Sequence, residues 1–153
     1  MTSLKETLQA DLTAAIKASD DMLKSTLRMA IAAVMNAEVA GKEAVELSDD
    51  QVIKVLQAES KKRLESAEIY EQNGRGEAAA KERAESEVLA KYLPAAIDDS
   101  ELAAIVADAV AAAAAAGNSG MKAMGLVVKA VREKVGSSAD GSKIADMVKA
   151  ALA

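Results

Sequence analysis

Lys122, Gly125, Lys129 and Arg132 follow one another at offsets of three, seven and ten, so they share one face if the segment is helical. Lysine and arginine are the side chains that meet phosphate oxygens, and a glycine between them lets another backbone come close. Lys143 adds a cation shortly afterwards, just past the turn Ala139-Asp140-Gly141-Ser142. From Ser119 to the end, six Lys/Arg stand against three Asp/Glu, a local excess of +3 in a chain of net charge −5. Glycine inside a helix costs up to about 1 kcal/mol relative to alanine, so Gly125 asks for a reason. A bland alternative serves as well: Gly125 admits a neighbouring helix and the lysines form a solvated face. Residue types alone leave both readings standing.

Other chemistry is excluded by composition. The chain has no cysteine and no histidine, which rules out disulfides, thiolate nucleophiles, Cys/His zinc sites and Ser-His or Cys-His pairs. Asp49-Asp50 and Asp98-Asp99 sit where helices should begin, and negative charge there complements the helix dipole, so no carboxylate pair is named as catalytic. Neither common glycine-rich phosphate loop is present. Tyr70 and Tyr92 are the only aromatics, too few to stack the bases of a single strand. No metal and no cofactor is expected. No apolar run reaches the roughly 18 residues of a membrane span, and Ala109 to Ala116 is too short and too weakly apolar. Met1 to Glu6 lacks the order of a signal peptide, so the expectation is a soluble cytoplasmic protein with no membrane partner.

The elements that must hold these residues read as all-α. No run alternates apolar and polar residues between turn clusters. Alanine, leucine, valine and seven methionines must fill the core, and alanine-rich helices pack closely. Ser3 with Glu6 and Ser48 with Gln51 have capping-box spacing, and Leu47 with Val52 fits a hydrophobic staple; Asp98 with Glu101, and Ile97 with Leu102, repeat the pattern. The first helix should bury Leu4, Leu8, Leu12, Ala15 and Ile16. The second, from about Asp20 to Gly41, should bury Leu23, Leu27, Ile31, Val34 and Met35. A long third helix runs past Leu56, Leu64 and Ala67 to Tyr70 and stops at Asn73-Gly74. A charged fourth helix runs from about Gly76 to Leu93, with Val88, Leu89, Tyr92 and Leu93 apolar at its end. Pro94, the only proline, disfavours helix in the residue before it and marks a division.

The fifth helix carries Leu102, Ile105, Val106, Ala109 and Val110 to Gly117. Met121, Met124, Val128 and Val131 make the stripe of the sixth helix, and Ile144, Met147, Val148, Ala151 and Leu152 that of the seventh, which Asp140 caps. The expected organisation is an N-terminal domain of about four helices, 1–94, with 13 basic and 17 acidic groups, then a three-helix domain, 95–153, with six and seven. Lys61-Lys62-Arg63 reads as a solvated run paired to Glu59. Arg28 reads as a structural ion-pair partner for Glu38 or Glu59.

The glycine–methionine–lysine pattern of 119–149 resembles the tail domain of the B subunit of the glutamyl/aspartyl-tRNA amidotransferase. Lys24-Ser25-Thr26-Leu27-Arg28-Met29, Asn36-Ala37-Glu38, Leu47-Ser48-Asp49-Asp50, Lys61 to Ser66 and Glu87 to Pro94 extend a resemblance to the GatB/YqeY family over nearly the whole chain. The resemblance implies a helical domain followed by a tail that contacts tRNA or a tRNA-dependent amidotransferase-type protein. It implies association with glutamine-dependent carbon–nitrogen ligase activity whose chemistry lies in other domains and subunits. The residues expected to make that contact, from their charge and spacing, are Lys122, Gly125, Lys129, Arg132 and Lys143, and no catalytic residue is expected. Relatives often carry Lys or Arg just before the Ala-Asp-Gly turn, where this chain has Ser137 and Ser138. A protein–protein module with a methionine-bearing surface is the reading that dispenses with RNA.

Overall fold

The computed structural model describes residues 1–153 and is entirely helical. Its elements are α1 (Leu4–Lys17), α2 (Asp21–Glu38), α3 (Asp49–Gln72), α4 (Gly76–Ala90), α5 (Asp99–Ala115), α6 (Met124–Val135) and α7 (Gly141–Leu152). One 3-10 turn, Gly120–Ala123, leads into α6, and another, Gly136–Ser138, follows it. The chain divides into two compact units, Met1–Leu93 and Pro94–Ala153. No single helix is long and apolar enough to cross a membrane.

Local signals in the sequence start most of these helices. Ser3 and Glu6 close a reciprocal capping box on α1, and Ser48 and Gln51 close one on α3. At α5 the cap differs from the expected box. Ser100 makes the main bonds, donating from its backbone N–H and its Oγ to Asp98 Oδ1, each at 2.7 Å, and the Glu101 N–H contributes less. Those bonds hold the Asp98 carboxyl below the usual carboxylate range.

Two helices end earlier than their composition suggests. α2 stops at Glu38 and not at Gly41, because the Val45 N–H turns back onto the Glu38 carbonyl at 2.9 Å. The Glu38 carboxylate there accepts from Lys5 Nζ at 2.7 Å and from the Leu47 N–H at 3.5 Å. α4 stops at Ala90 and not at Leu93; Tyr92 and Leu93 form tighter bonds to Leu89 and Ala90 before Pro94.

In the first unit Leu8, Leu27, Val34, Val52, Leu56 and Leu89 are fully buried in one cluster drawn from all four helices. Tyr92 donates to Asp11 Oδ2 and ties the chain after α4 to α1; burial and that carboxylate push its phenol pKa up. Ile16 and Met35, expected inside, are exposed. The larger correction concerns α3, where Leu64 is 49% exposed and Arg63 is buried. Arg63 Nε donates to Glu85 Oε2 of α4 at 3.2 Å, and its Nη1 donates to Glu59 at 3.1 Å, so the guanidinium enters the interior already paired. Beside it, the hydroxyls of Ser60 and Ser86 bridge the two helices at 2.7 Å. The run Lys61-Lys62-Arg63 is therefore not a solvated patch throughout. Arg28, expected as an anchor, is exposed and outside this network, while Lys5 takes Glu38 and Arg63 takes Glu59.

The second unit has an apolar interior. Leu102, Val106 and Ala113 of α5 pack with Ala123, with Val127, Val131 and Val135 of α6, and with Ile144 and Val148 of α7. The α6 stripe is thus displaced from the expected one. Met124 and Val128 lie at its margin, and Met121 is 49% exposed. Within α6 the buried line runs through Val127, Val131 and Val135 at steps of four, and Met121 lies before it on the 3-10 turn.

Candidate functional site

α6 exists because Val127, Val131 and Val135 repeat every four residues and can be buried on one side. Its opposite side follows by geometry, and Gly125, Lys129 and Arg132 lie there, all exposed. Lys122 is exposed too, but it belongs to the Gly120–Ala123 turn and not to α6 itself. The four residues thus form a strip that begins on the turn and continues along the helix. None of Lys122, Lys129 and Arg132 takes part in a salt bridge.

A Cβ built on Gly125 meets nothing within 4 Å. No neighbouring helix requires this glycine in the folded chain, so the packing explanation fails on geometry. The position is a flat, open piece of helix between cations. Leu126, next to it, is 51% exposed, which with Met121 leaves two large apolar side chains outside the core along this segment.

Gly141 has a neighbour that the sequence did not disclose. A Cβ there would stand 2.6 Å from Arg132 Nη2, so the guanidinium of Arg132 lies across the first residue of α7. Asp140 accepts from the Ser142 hydroxyl at 2.8 Å and its N–H at 3.4 Å, capping α7 as expected. Gly141 lies under the Arg132 guanidinium, the far end of an exposed, flexible side chain that a Cβ there would displace. No local pattern could signal this, because the two residues belong to different helices.

Lys143 departs from the group. Its Nζ donates to Asp99 Oδ1, joining the start of α7 to the start of α5. It is held as an internal crosslink, in contrast to the other three cations. Ser138 is also structural: its Oγ donates to the Val135 carbonyl at 2.6 Å, and its own carbonyl accepts from the Ile97 N–H at 2.9 Å. Gly136, with φ of 55°, supplies the left-handed residue this turn needs.

Nothing else in the chain gathers reactive groups. No three Asp or Glu side chains are placed to hold a metal ion. The carboxylates with depressed pKa values are ion-pair or cap residues. Glu38 is held below its ordinary value by the hydrogen bond from Lys5. For Glu59, burial pushes upward, but hydrogen bonds from Lys62 and Arg63, and their charges, more than offset it.

Comparison with known proteins fits this architecture. The chain is 34% identical over 100 residues to "Altered inheritance of mitochondria protein 41, mitochondrial" of Clavispora lusitaniae (strain ATCC 42720), a match covering 63% of this chain and 57% of that protein. The chain therefore spans little more than half the length of this curated relative. A family model described as Yqey-like protein matches residues 5–152, which takes in all seven helices except the first residue of α1. The protein belongs to the YqeY-like family.

Proposed function

We propose that the protein is a non-catalytic accessory factor whose second unit binds tRNA through the strip of Lys122, Gly125, Lys129 and Arg132. The observation that carries this reading is the open surface over Gly125, flanked by exposed cations that take part in no salt bridge. A helix face with unpaired lysines and no Cβ at its centre suits a phosphate backbone, which needs charge and close approach. The scarcity of aromatics favours recognition of a folded or duplex RNA by shape over stacking on single-stranded bases. The resemblance of residues 119–149 to an amidotransferase tail supports tRNA as the class of RNA, and extends the proposal to a tRNA-dependent amidotransferase as the enzyme served. Carbon–nitrogen ligase chemistry, with glutamine as nitrogen donor, then belongs to that partner. The cytoplasm is the compartment this reading assumes, although the relative's own name assigns that protein to mitochondria.

A second reading has one observation of its own. Met121 and Leu126 stand half-exposed beside the strip, as they would in a surface for another protein. A titration of fluorescent tRNA with the full chain at low salt separates the two. The RNA reading expects saturable binding that is lost when Lys122, Lys129 and Arg132 are all changed to Glu. It fails if tRNA does not bind, or if the triple variant binds as well as the parent. Loss of a protein partner from Met121→Ser with Leu126→Ser, at unchanged tRNA affinity, favours the second reading.

A further inference from the structure

Arg63 is the buried cation of the first unit, and its donors are unequally served. Nε reaches Glu85 Oε2 at 3.2 Å, and Nη1 reaches the Glu59 carboxylate at 3.1 Å and the Glu59 carbonyl at 3.0 Å. Nη2 finds only the thioether sulfur of Met29 in α2, at 3.9 Å. Sulfur in a thioether is a weak acceptor, whereas buried charged donors ordinarily find oxygen. Met29 itself is 53% exposed. One side chain thus meets solvent and also touches a buried guanidinium whose last nitrogen lacks an oxygen partner.

We propose that Met29 is a site of reversible oxidation by hydroperoxides, and that Arg63 Nη2 holds the sulfoxide oxygen so formed. The sulfur lone pair attacks one peroxide oxygen, the O–O bond breaks and an S–O bond forms. The proton on the transferred oxygen passes to the departing one, which leaves as water or an alcohol. Sulfur loses two electrons and the peroxide gains them. An oxygen on that sulfur, bonded at an angle to the line between sulfur and Nη2, comes within the usual N–H···O range of about 2.7–3.2 Å. The sulfoxide is a strong acceptor and is reducible by dedicated reductases. Oxidation here fastens α2 to the α3–α4 pair, whereas on an exposed methionine with no donor beside it, such as Met35, the sulfoxide oxygen bonds only to water.

Met35 is the internal control, since it lies on the same helix with the same 53% exposure and has no donor at its sulfur. The full chain, labelled with 15N at arginine, is treated with hydrogen peroxide while each methionine is followed by peptide mass spectrometry. Met29 and Met35 should oxidise at comparable rates, both ahead of the half-buried Met124 and Met147. The Arg63 side-chain resonances should move in step with Met29 oxidation, and should stay still in Met29→Leu. Glutamine supplies a permanent oxygen at this place. Met29→Gln should melt about 4 °C or more above Met29→Leu, whereas Met35→Gln and Met35→Leu should melt alike. The proposal is overturned if Met29 stays reduced while Met35 oxidises, if Arg63 does not respond to oxidised Met29, or if the Gln–Leu difference is the same at both positions.

Discussion

Between Met1 and Leu93 the interior carries charge, with Arg63 and Glu85 buried beside Thr26 and Ser86; between Pro94 and Ala153 no polar or charged side chain is buried. The first unit commits a guanidinium, two carboxylates and two hydroxyls to the seam between α3 and α4. The second closes three helices on valine, leucine, isoleucine and alanine, and keeps every cation outside. In the second unit Lys122, Lys129 and Arg132 are exposed and outside every salt bridge, whereas Lys143 pairs with Asp99. The polar seam of the first unit fixes register, because only one sliding position of α4 against α3 satisfies all of its groups.

The sharpest way to break this comparison is to remove the buried cation. Arg63→Ala leaves Glu85 buried without its partner and should cost about 3–5 kcal/mol. Hydrogen exchange should show faster opening across α3 and α4, with α5 to α7 unchanged. Equal loosening of both units would contradict the division of roles.

Acid offers a smaller effect with a defined sign. Glu38 and Glu59 both have folded pKa values below their ordinary 4.5. The stability they contribute is present above about 4.5 and is lost as pH falls through their folded values. Asp98, the cap of the second unit, starts from an ordinary 3.8. A pH titration followed by residue-resolved NMR should therefore find the first unit softening at higher pH than the second. The reverse order would contradict the ion-pair account.

Gly125→Ala should have the smallest structural effect and the most telling functional one. The added methyl meets open space, so the helix gains up to about 1 kcal/mol. On the proposed function, binding of tRNA should nevertheless weaken, because the methyl would stand in the open space proposed for the phosphate backbone. Tighter or unchanged binding, measured beside the melting temperature, would remove close approach from the proposal.

Much of the fold was legible because it is local. Seven helices, two reciprocal caps and the stops of α3 and α5 beside glycine follow from signals a few residues long, such as Ser48 with Gln51. What escaped is long-range or depends on phase. Arg63 is buried because Glu85 lies 22 residues onward, and no hydropathy period prefers arginine to the adjacent leucine. Lys143 pairs at the surface with Asp99, 44 residues earlier. Met121, on the 3-10 turn before α6, is exposed although its spacing matched the stripe. Of the candidate site, the sequence named the cations, while the open space over Gly125 and the seat of Arg132 on Gly141 emerged only from the fold.

Salt dependence tests the central claim most directly, namely that the cations of the second unit are the ones that meet phosphate. About three neutralised phosphates give a slope of log K against log salt of roughly −2 to −3. Affinity for tRNA should be measured across a salt series for the parent, for Lys122→Glu with Arg132→Glu, and for Arg28→Glu, which alters an exposed cation of the first unit. The account predicts a weaker and flatter response for the double variant, with Arg28→Glu following the parent line. A double variant that keeps the parent's slope, or an Arg28→Glu variant that alone flattens it, would contradict the account.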